Sequence, residues 1–427
     1  MVAFIFSLFS KNILLFILFL LVFLGGVFLA YFPLVKGDIN IFSPLLGKKE
    51  NRYLEIQELQ TQNLSSFQEL GRYFEDLAKK KGGGYAFDVL RAASIPPNID
   101  MHLLAHVVGG VLYQQEGLGG IPICTHDFRN ACSHSIVIGL FFEEGEAALD
   151  EIAKACRNAP GGSGAYTMCF HGLGHGVLAY TGYDLEKAIN LCEKTGTPQY
   201  GNQEAHQCIS GSIMEIINGV HDKELWEEQH KKYFKEENPL YPCSSDFMPD
   251  EARSLCYIYL TPHLFNAAGA DAGFPTPADF KQAFLYCDKL PVADFRSRDA
   301  CYGGFGKEFI GLALGRDIRV STIEQITDEA LNRVYEWCLL ANTKEGAAAC
   351  VVHATNSLYW GGENDRSIAI AFCNVIDDPY YQGSCFINLM RAVSYYVQDP
   401  IYRRTFCEEL PSSYSEECRA TLKVISR

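Results

Sequence analysis

Seven of the eleven histidines fall between residues 102 and 206. Two pairs share a spacing of four: His102 with His106, and His171 with His175. On a helix, residues four apart lie on one face, so each pair brings two imidazoles within reach of one metal ion. His134 stands two residues after Cys132, as His171 stands two after Cys169. If the helices carrying them stack in register, His106, His134 and His171 occupy equivalent places in consecutive layers. Glu215, seven residues after Cys208, and Glu308, seven after Cys301, put carboxylates on the same surface. The candidate metal set is therefore His102, His106, His134, His171, His175 and Glu215. Three or four such ligands suit Zn²⁺ or Fe²⁺, and an open position allows hydrolysis or oxygen chemistry. A structural reading stands beside this one. Histidines next to glycines also serve as packing and hydrogen-bonding groups where helices meet. Gly172, Gly174 and Gly176 leave little side chain on their segment, so a neighbouring helix can approach closely.

Other chemical motifs are weaker. Cys124, His126, Cys132 and His134 have the residue types of a Cys₂His₂ zinc site. None of the other cysteine pairs carries both matching histidines, so a disulfide accounts better for Cys124 and Cys132. His126-Asp127 matches the doublet of metal-dependent phosphohydrolases, but it lies in a short loop between cysteines rather than on a helix. The chain contains no Gly-rich phosphate loop, nucleophile elbow or His-Glu-x-x-His motif. It has no Cys-x-x-Cys either, which disfavours redox chemistry.

The elements that must position the histidines are punctuated by cysteine. Sixteen cysteines fall into eight neighbouring pairs: Cys124/Cys132, Cys156/Cys169, Cys192/Cys208, Cys243/Cys256, Cys287/Cys301, Cys338/Cys350, Cys373/Cys385 and Cys407/Cys418. The first cysteine of a pair usually ends a helical pattern and the second opens one. Ala188, Ala283 and Ala369 each precede a first cysteine by one helical turn. First-cysteine spacings are 32, 36, 51, 44, 51, 35 and 34 residues. Values near 34–36 match two-helix repeat units. Longer values mark insertions, one being the charged stretch His221 to Asn238. A helix pair of this size cannot bury its own apolar face, and stacking on neighbours supplies the core. Closing a loop of about 15 residues adds roughly 3 kcal/mol in the chain-entropy model.

Ile13 to Val35 contains no charged residue. As a helix it spans roughly 35 Å, enough to cross a hydrocarbon core. The alternative, a cleaved signal peptide, is disfavoured by the length of the run and by the lack of a small-x-small site near Phe28, Leu29 and Ala30. Sixteen paired thiols need an oxidising compartment, so the chain beyond the anchor is expected outside the cytoplasm, in the periplasm or at the cell surface. A formal net charge of −15 disfavours nucleic acid and anionic lipid surfaces as partners. The expected layout is an N-terminal transmembrane anchor (1–35), a juxtamembrane tether and helical neck (36–97), and a disulfide-stapled helical repeat domain (98–427). In the neck, a helical rhythm runs from Leu54 to Lys80, with Ser66 and Glu69 as a capping box. Gly82, Gly83 and Gly84 end that helix, a short helix runs from Tyr85 to Ala93, and Asp100 caps the one carrying His102. The fold class is all-α: an α/α solenoid of about eight two-helix repeats.

Over roughly residues 100–310 the chain resembles an uncharacterised family of membrane-anchored, Cys/His-rich bacterial and archaeal proteins. The resemblance rests on His102-Leu-Leu-Ala-His106-Val-Val-Gly, Cys169-Phe-His171-Gly-Leu-Gly-His175-Gly, Asp184-Leu-Glu-Lys-Ala188-x3-Cys192, Met214-Glu215 and Pro239-Leu-Tyr-Pro-Cys243 leading to Cys256-Tyr. In the family pattern a cysteine precedes the first histidine, where this chain has Met101. A histidine also follows the second repeat cysteine by six residues, where this chain has Ile138. The resemblance implies the layout and no particular reaction. More loosely, the repeats are similar to secreted cysteine-bridged α/α repeat proteins, which act as interaction scaffolds. Two functions follow as expectations. One is a solenoid that binds a protein, peptide or envelope ligand on its concave face. The other is a metal-dependent enzyme, with Zn or Fe at the histidine cluster.

Overall fold

Helices whose apolar residues cover the whole circumference must be covered on every side, and those with one apolar stripe lie at the periphery. Both kinds alternate along this chain. The computed structural model describes residues 54–423, apart from 62–63, 65–66, 94, 96–100, 126, 161, 219–222, 236, 271–274, 314–325, 362–365 and 398. The candidate anchor Ile13–Val35 and the capping residues Ser66 and Asp100 therefore lie outside the described residues. Among the described residues no helix is long and apolar enough to cross a membrane.

The described residues form helices and no strand. The first three are α1 (Leu54–Thr61), α2 (Phe67–Lys81) and α3 (Gly83–Ala92). The chain continues with α4 (Met101–Glu116), α5 (Ala131–Glu144), α6 (Leu149–Cys156), α7 (Gly162–Tyr180), α8 (Leu185–Glu193) and α9 (Gln203–Asn218). Next come α10 (Lys223–Tyr233), α11 (Asp250–Tyr259), α12 (Thr261–Ala267), α13 (Pro277–Asp288) and α14 (Phe295–Ala313). The last six are α15 (Asp328–Cys338), α16 (Lys344–Gly361), α17 (Arg366–Val375), α18 (Pro379–Tyr396), α19 (Pro400–Glu409) and α20 (Ser412–Leu422). Within the charged stretch expected to be an insertion, Lys223–Tyr233 form α10. Only Gly82, at φ 97°, separates α2 from α3; Gly83 already opens α3, against the side chain of Leu112.

Among the described residues, nine helices form one row in chain order, each packed on the next: α4, α5, α7, α9, α11, α14, α16, α18 and α20. Helices α2 and α3 pack on α4, burying Leu70, Phe74, Phe87 and Leu90. Shorter helices flank the row. Helix α8 packs on α7 and α9, α15 on α14 and α16, and α17 on α16 and α18. In α8 the buried face carries Leu185, Ala188, Ile189 and Cys192, which explains the small residue one turn before the cysteine. The start of α8 is fixed by Asp184, whose side chain accepts a hydrogen bond from the Lys187 backbone N–H.

All eight neighbouring pairs are bridged, with no free cysteine. The bridges are Cys124–Cys132, Cys156–Cys169, Cys192–Cys208 and Cys243–Cys256 in the first half. Cys287–Cys301, Cys338–Cys350, Cys373–Cys385 and Cys407–Cys418 follow in the second. Cα separations of 5.4–5.8 Å suit a disulfide.

The placement of the second cysteines corrects one expectation. They were expected to open their helices, and only Cys132, at the start of α5, does so. Cys169 in α7, Cys208 in α9, Cys256 in α11 and Cys301 in α14 lie roughly one and a half to two turns inside. So do Cys350 in α16, Cys385 in α18 and Cys418 in α20. The reason is geometric. Each row helix begins before its cysteine, so the end of the flanking helix is clamped to its side rather than to its tip. Among the first cysteines, Cys156, Cys192, Cys287, Cys338, Cys373 and Cys407 lie in the last turn of their helices, as expected. Cys124 and Cys243 differ, the first lying just past the 3₁₀ helix Gly117–Ile123 and the second in a turn.

Candidate functional site

Close helix packing creates the site. Helices α7 and α9 cross where Gly174 faces Gly211. A Cβ on Gly174 would lie 1.9 Å from the carbonyl oxygen of Cys208, and one on Gly211 would lie 1.9 Å from that of His171. Only glycine permits this approach, because the neighbour is backbone and cannot rotate away. A Cβ on Gly172 would likewise lie 2.5 Å from the ring of His134. Gly172 and Gly174 thus play the close-packing part expected of them, and they do so in order to seat histidines.

The rings of His102, His106, His134, His171 and His175 form one cluster on α4, α5 and α7. Within the first pair the ring centroids are 4.7 Å apart, and His134 lies 6.0 Å from His102 and 5.9 Å from His106. On its other side His134 lies 5.9 Å from His171 and 6.2 Å from His175, which are 5.1 Å from each other. His102, His106 and His134 can each bring one nitrogen within 4.8 Å of the other two. His134, His171 and His175 are buried, whereas His102 and His106 are half-buried, so the cluster faces solvent through α4.

Hydrogen bonds orient the outer rings through Nδ1. His102 Nδ1 lies 2.7 Å from the carbonyl oxygen of Phe128, which can only accept, so Nδ1 carries the proton. That carbonyl is delivered by three consecutive non-glycine residues with left-handed backbone, Phe128, Arg129 and Asn130, at φ 54°, 55° and 62°. Such strain persists where surrounding structure enforces it. Ser135 donates its hydroxyl proton to the carbonyl of His106 and therefore accepts from His106 Nδ1 at 2.8 Å. Both Nε2 atoms then carry lone pairs, yet they lie 3.1 Å apart. Two lone pairs at that distance require a cation or a shared proton between them. Imidazole nitrogens on one tetrahedral metal lie roughly 3.3 Å apart, given metal–nitrogen bonds of about 2.0–2.1 Å.

The second pair is held in the same manner. His171 Nδ1 lies 3.3 Å from Ser210 Oγ. His175 Nδ1 lies 3.0 Å from Glu215 Oε2, and the other oxygen of Glu215 accepts from the Tyr183 hydroxyl at 2.8 Å. Both Glu215 and Tyr183 are fully buried, and Tyr183 has a left-handed backbone at φ 59°. Glu215 thus stands behind His175 and orients it. Glu215 lies at the histidine cluster, as expected of a ligand or a general base, and its partner there is His175. A carboxylate accepting from a histidine N–H fixes the tautomer and the orientation of the ring. Glu308 pairs with Lys307 at 3.0 Å, and Lys307 covers the ring of Tyr259, itself 6.1 Å from His171.

His134 differs from the other four. It is 1% exposed, and neither ring nitrogen has a hydrogen-bond partner. Burial holds it well below the ordinary imidazole range, and His106, His171, His102 and His175 push the same way. Burial likewise depresses His171, helped by His175, His102 and Lys307. Both are therefore neutral at neutral pH, the state in which imidazole binds metal.

Four partners were missed by sequence reasoning: Ser135, Ser210, Tyr183 and the Phe128 carbonyl. One carried a signal, since Ser210 stands two residues after Cys208, in the register of His134 and His171. His126 lies outside the described residues, and Cys124 and Cys132 are consumed by their disulfide. No family model, curated protein or solved structure matches this chain.

Proposed function

We propose that this chain is a membrane-anchored, extracytoplasmic α/α solenoid of about eight disulfide-stapled repeats whose first repeats hold a transition-metal centre. The ordered row of helices with flanking partners and the eight bridges support the architecture. The buried, unpartnered His134 between two histidine pairs carries the metal reading. Each buried polar group left without a partner costs about 1–3 kcal/mol. A metal ion turns that cost into a bond. A scaffold that merely binds a ligand on its concave face needs no such group, so the metal reading takes precedence.

His102, His106 and His134 supply three neutral nitrogen ligands, a set suited to Zn²⁺ or Fe²⁺. Three protein ligands leave a position for water, whose pKa a bound Zn²⁺ lowers to about 7. The half-buried face of α4 gives that position access to solvent. The chemistry this arrangement supports best is metal-assisted hydrolysis, with the Glu215–His175 pair as the nearby base.

The test is elemental analysis of the purified full-length protein, as isolated and after reconstitution with Zn²⁺ or Fe²⁺. Stoichiometric metal is expected, and its loss in His102→Ala and His106→Ala variants that keep the wild-type circular dichroism spectrum. Wild-type protein that retains neither metal removes the proposal.

A further inference from the structure

Helix α3 bears on the histidine cluster without carrying a histidine. Two of its residues one helical turn apart, Phe87 and Arg91, grip the loop that leads into α5. The Phe87 ring meets the Phe128 ring edge to face, with centroids 5.8 Å apart. The Arg91 guanidinium pairs with the Asp127 carboxylate, which also accepts from the Thr125 hydroxyl. The Cys124–Cys132 bridge closes the same loop, with a sequence separation of 8.

Inside that loop Phe128, Arg129 and Asn130 hold left-handed backbone. This conformation is unfavourable for residues with a Cβ, so a freed loop relaxes toward negative φ. Such a rotation carries the Phe128 carbonyl away from His102 Nδ1, now 2.7 Å distant. The Nδ1 proton then loses the acceptor that fixes the tautomer and aims the ring. The end of the loop nearer α5 is tied separately, because Ser133 donates to the Asn130 carbonyl at 3.0 Å. Next to Phe128 itself, the charged tether is Asp127.

Resting on the metal centre proposed above, we infer that the Arg91–Asp127 ion pair positions its ligand His102. Asp127 acts through the Phe128 carbonyl, and neither member of the pair touches the metal. The Arg91 and Asp127 side chains are 40% and 23% exposed. Ion pairs so near solvent add little to global stability. The effect of this pair therefore belongs at the metal and not in unfolding. Asp88 supplies a control, since Arg91 also lies 3.5 Å from Asp88 Oδ1 on its own helix. Asp88→Asn removes the same charge beside the same arginine without touching the loop.

Full-length wild type, Asp127→Asn and Asp88→Asn are stripped of metal and loaded with Co²⁺. Chelator competition reads affinity, the visible absorption of Co²⁺ reads ligand geometry, and urea unfolding reads the stability of the metal-free forms. Asp127→Asn should lose about 10-fold in affinity, the low end for groups behind metal-binding histidines. Its cobalt spectrum should change and its unfolding midpoint should not. Arg91→Gln, which frees the same carboxylate, should reproduce this result, and Asp88→Asn should match wild type throughout. Wild-type affinity and spectrum in Asp127→Asn overturn the positioning role and leave the metal centre standing. So does an affinity loss shared by Asp88→Asn, absent from Arg91→Gln, or accompanied by a lower midpoint. Wild-type protein that binds no Co²⁺ overturns the centre and the positioning role together.

Discussion

Replacing Gly174 with alanine puts a methyl group where a peptide already lies. The new Cβ would sit 1.9 Å from the Cys208 carbonyl oxygen and 2.9 Å from the Ser212 backbone nitrogen. Ordinary contacts begin at 3.4 Å, so α7 and α9 must part by about 1.5 Å (3.4 minus 1.9). Both obstacles are backbone, so no side-chain rotation relieves them. Parting the helices breaks the hydrogen bond from Ser212 Oγ to the Gly174 carbonyl, now 2.8 Å. It also stretches the 3.0 Å contact between His175 and Glu215, which bridges the same two helices. Overpacking typically costs about 1–3 kcal/mol. Alanine returns about 0.8–1.0 kcal/mol through its better helix propensity. With two backbones in collision the upper part of the range applies, for a net loss of about 1–2 kcal/mol. Gly110 on α4 is the control: a Cβ there meets nothing within 4 Å, so Gly110→Ala should gain the propensity term alone. Urea unfolding with disulfides intact reads both variants, and chelator competition reads metal affinity. Gly174→Ala should have a lower midpoint and weaker metal binding, and Gly110→Ala a higher midpoint. If the two variants behave alike, close backbone packing at Gly174 does not set the site.

Glu215→Gln keeps the shape of the side chain but removes the charge that holds His175 and receives the Tyr183 hydroxyl. Outer partners of metal-binding histidines are typically worth about 10–100-fold in affinity, and a loss in that range is expected by chelator competition; unchanged affinity would separate Glu215 from the site. The pH dependence of metal-free stability should report His263, whose Nε2 is buried without a partner near Phe234 and whose pKa burial pushes down to about 4. Unfolded histidine titrates near 6.5, so the contribution is complete above about pH 6.5 and is lost as pH falls through about 4. His263→Phe should flatten that part of the profile, whereas an identical profile means that His263 is not buried neutral.

The pairing of cysteines was legible because each bridge closes a short local loop, and regular spacing leaves little choice of partner. Where a helix starts relative to its cysteine was less legible. Cys350, Cys385 and Cys418 sit well inside their helices, roughly one and a half turns past the first residue. Burial of Ala188 beside Cys192 follows from one helical turn and is local. The pairs His102/His106 and His171/His175 were legible for the same reason, since four residues along a helix always return to the same face. What spacing could not supply was the distance between helices. His134 meets both pairs because α5 lies between α4 and α7, with Gly172 letting its ring in against α7. Tyr183 reaches Glu215 across 32 residues and His175 reaches it across 40. The phase and separation of packed helices choose such partners, and those depend on many long-range contacts at once. The same reason placed Glu215 against His175. The residue types and their helical faces were written locally, whereas the gathering of four imidazole rings around the buried ring of His134 was decided by tertiary packing alone.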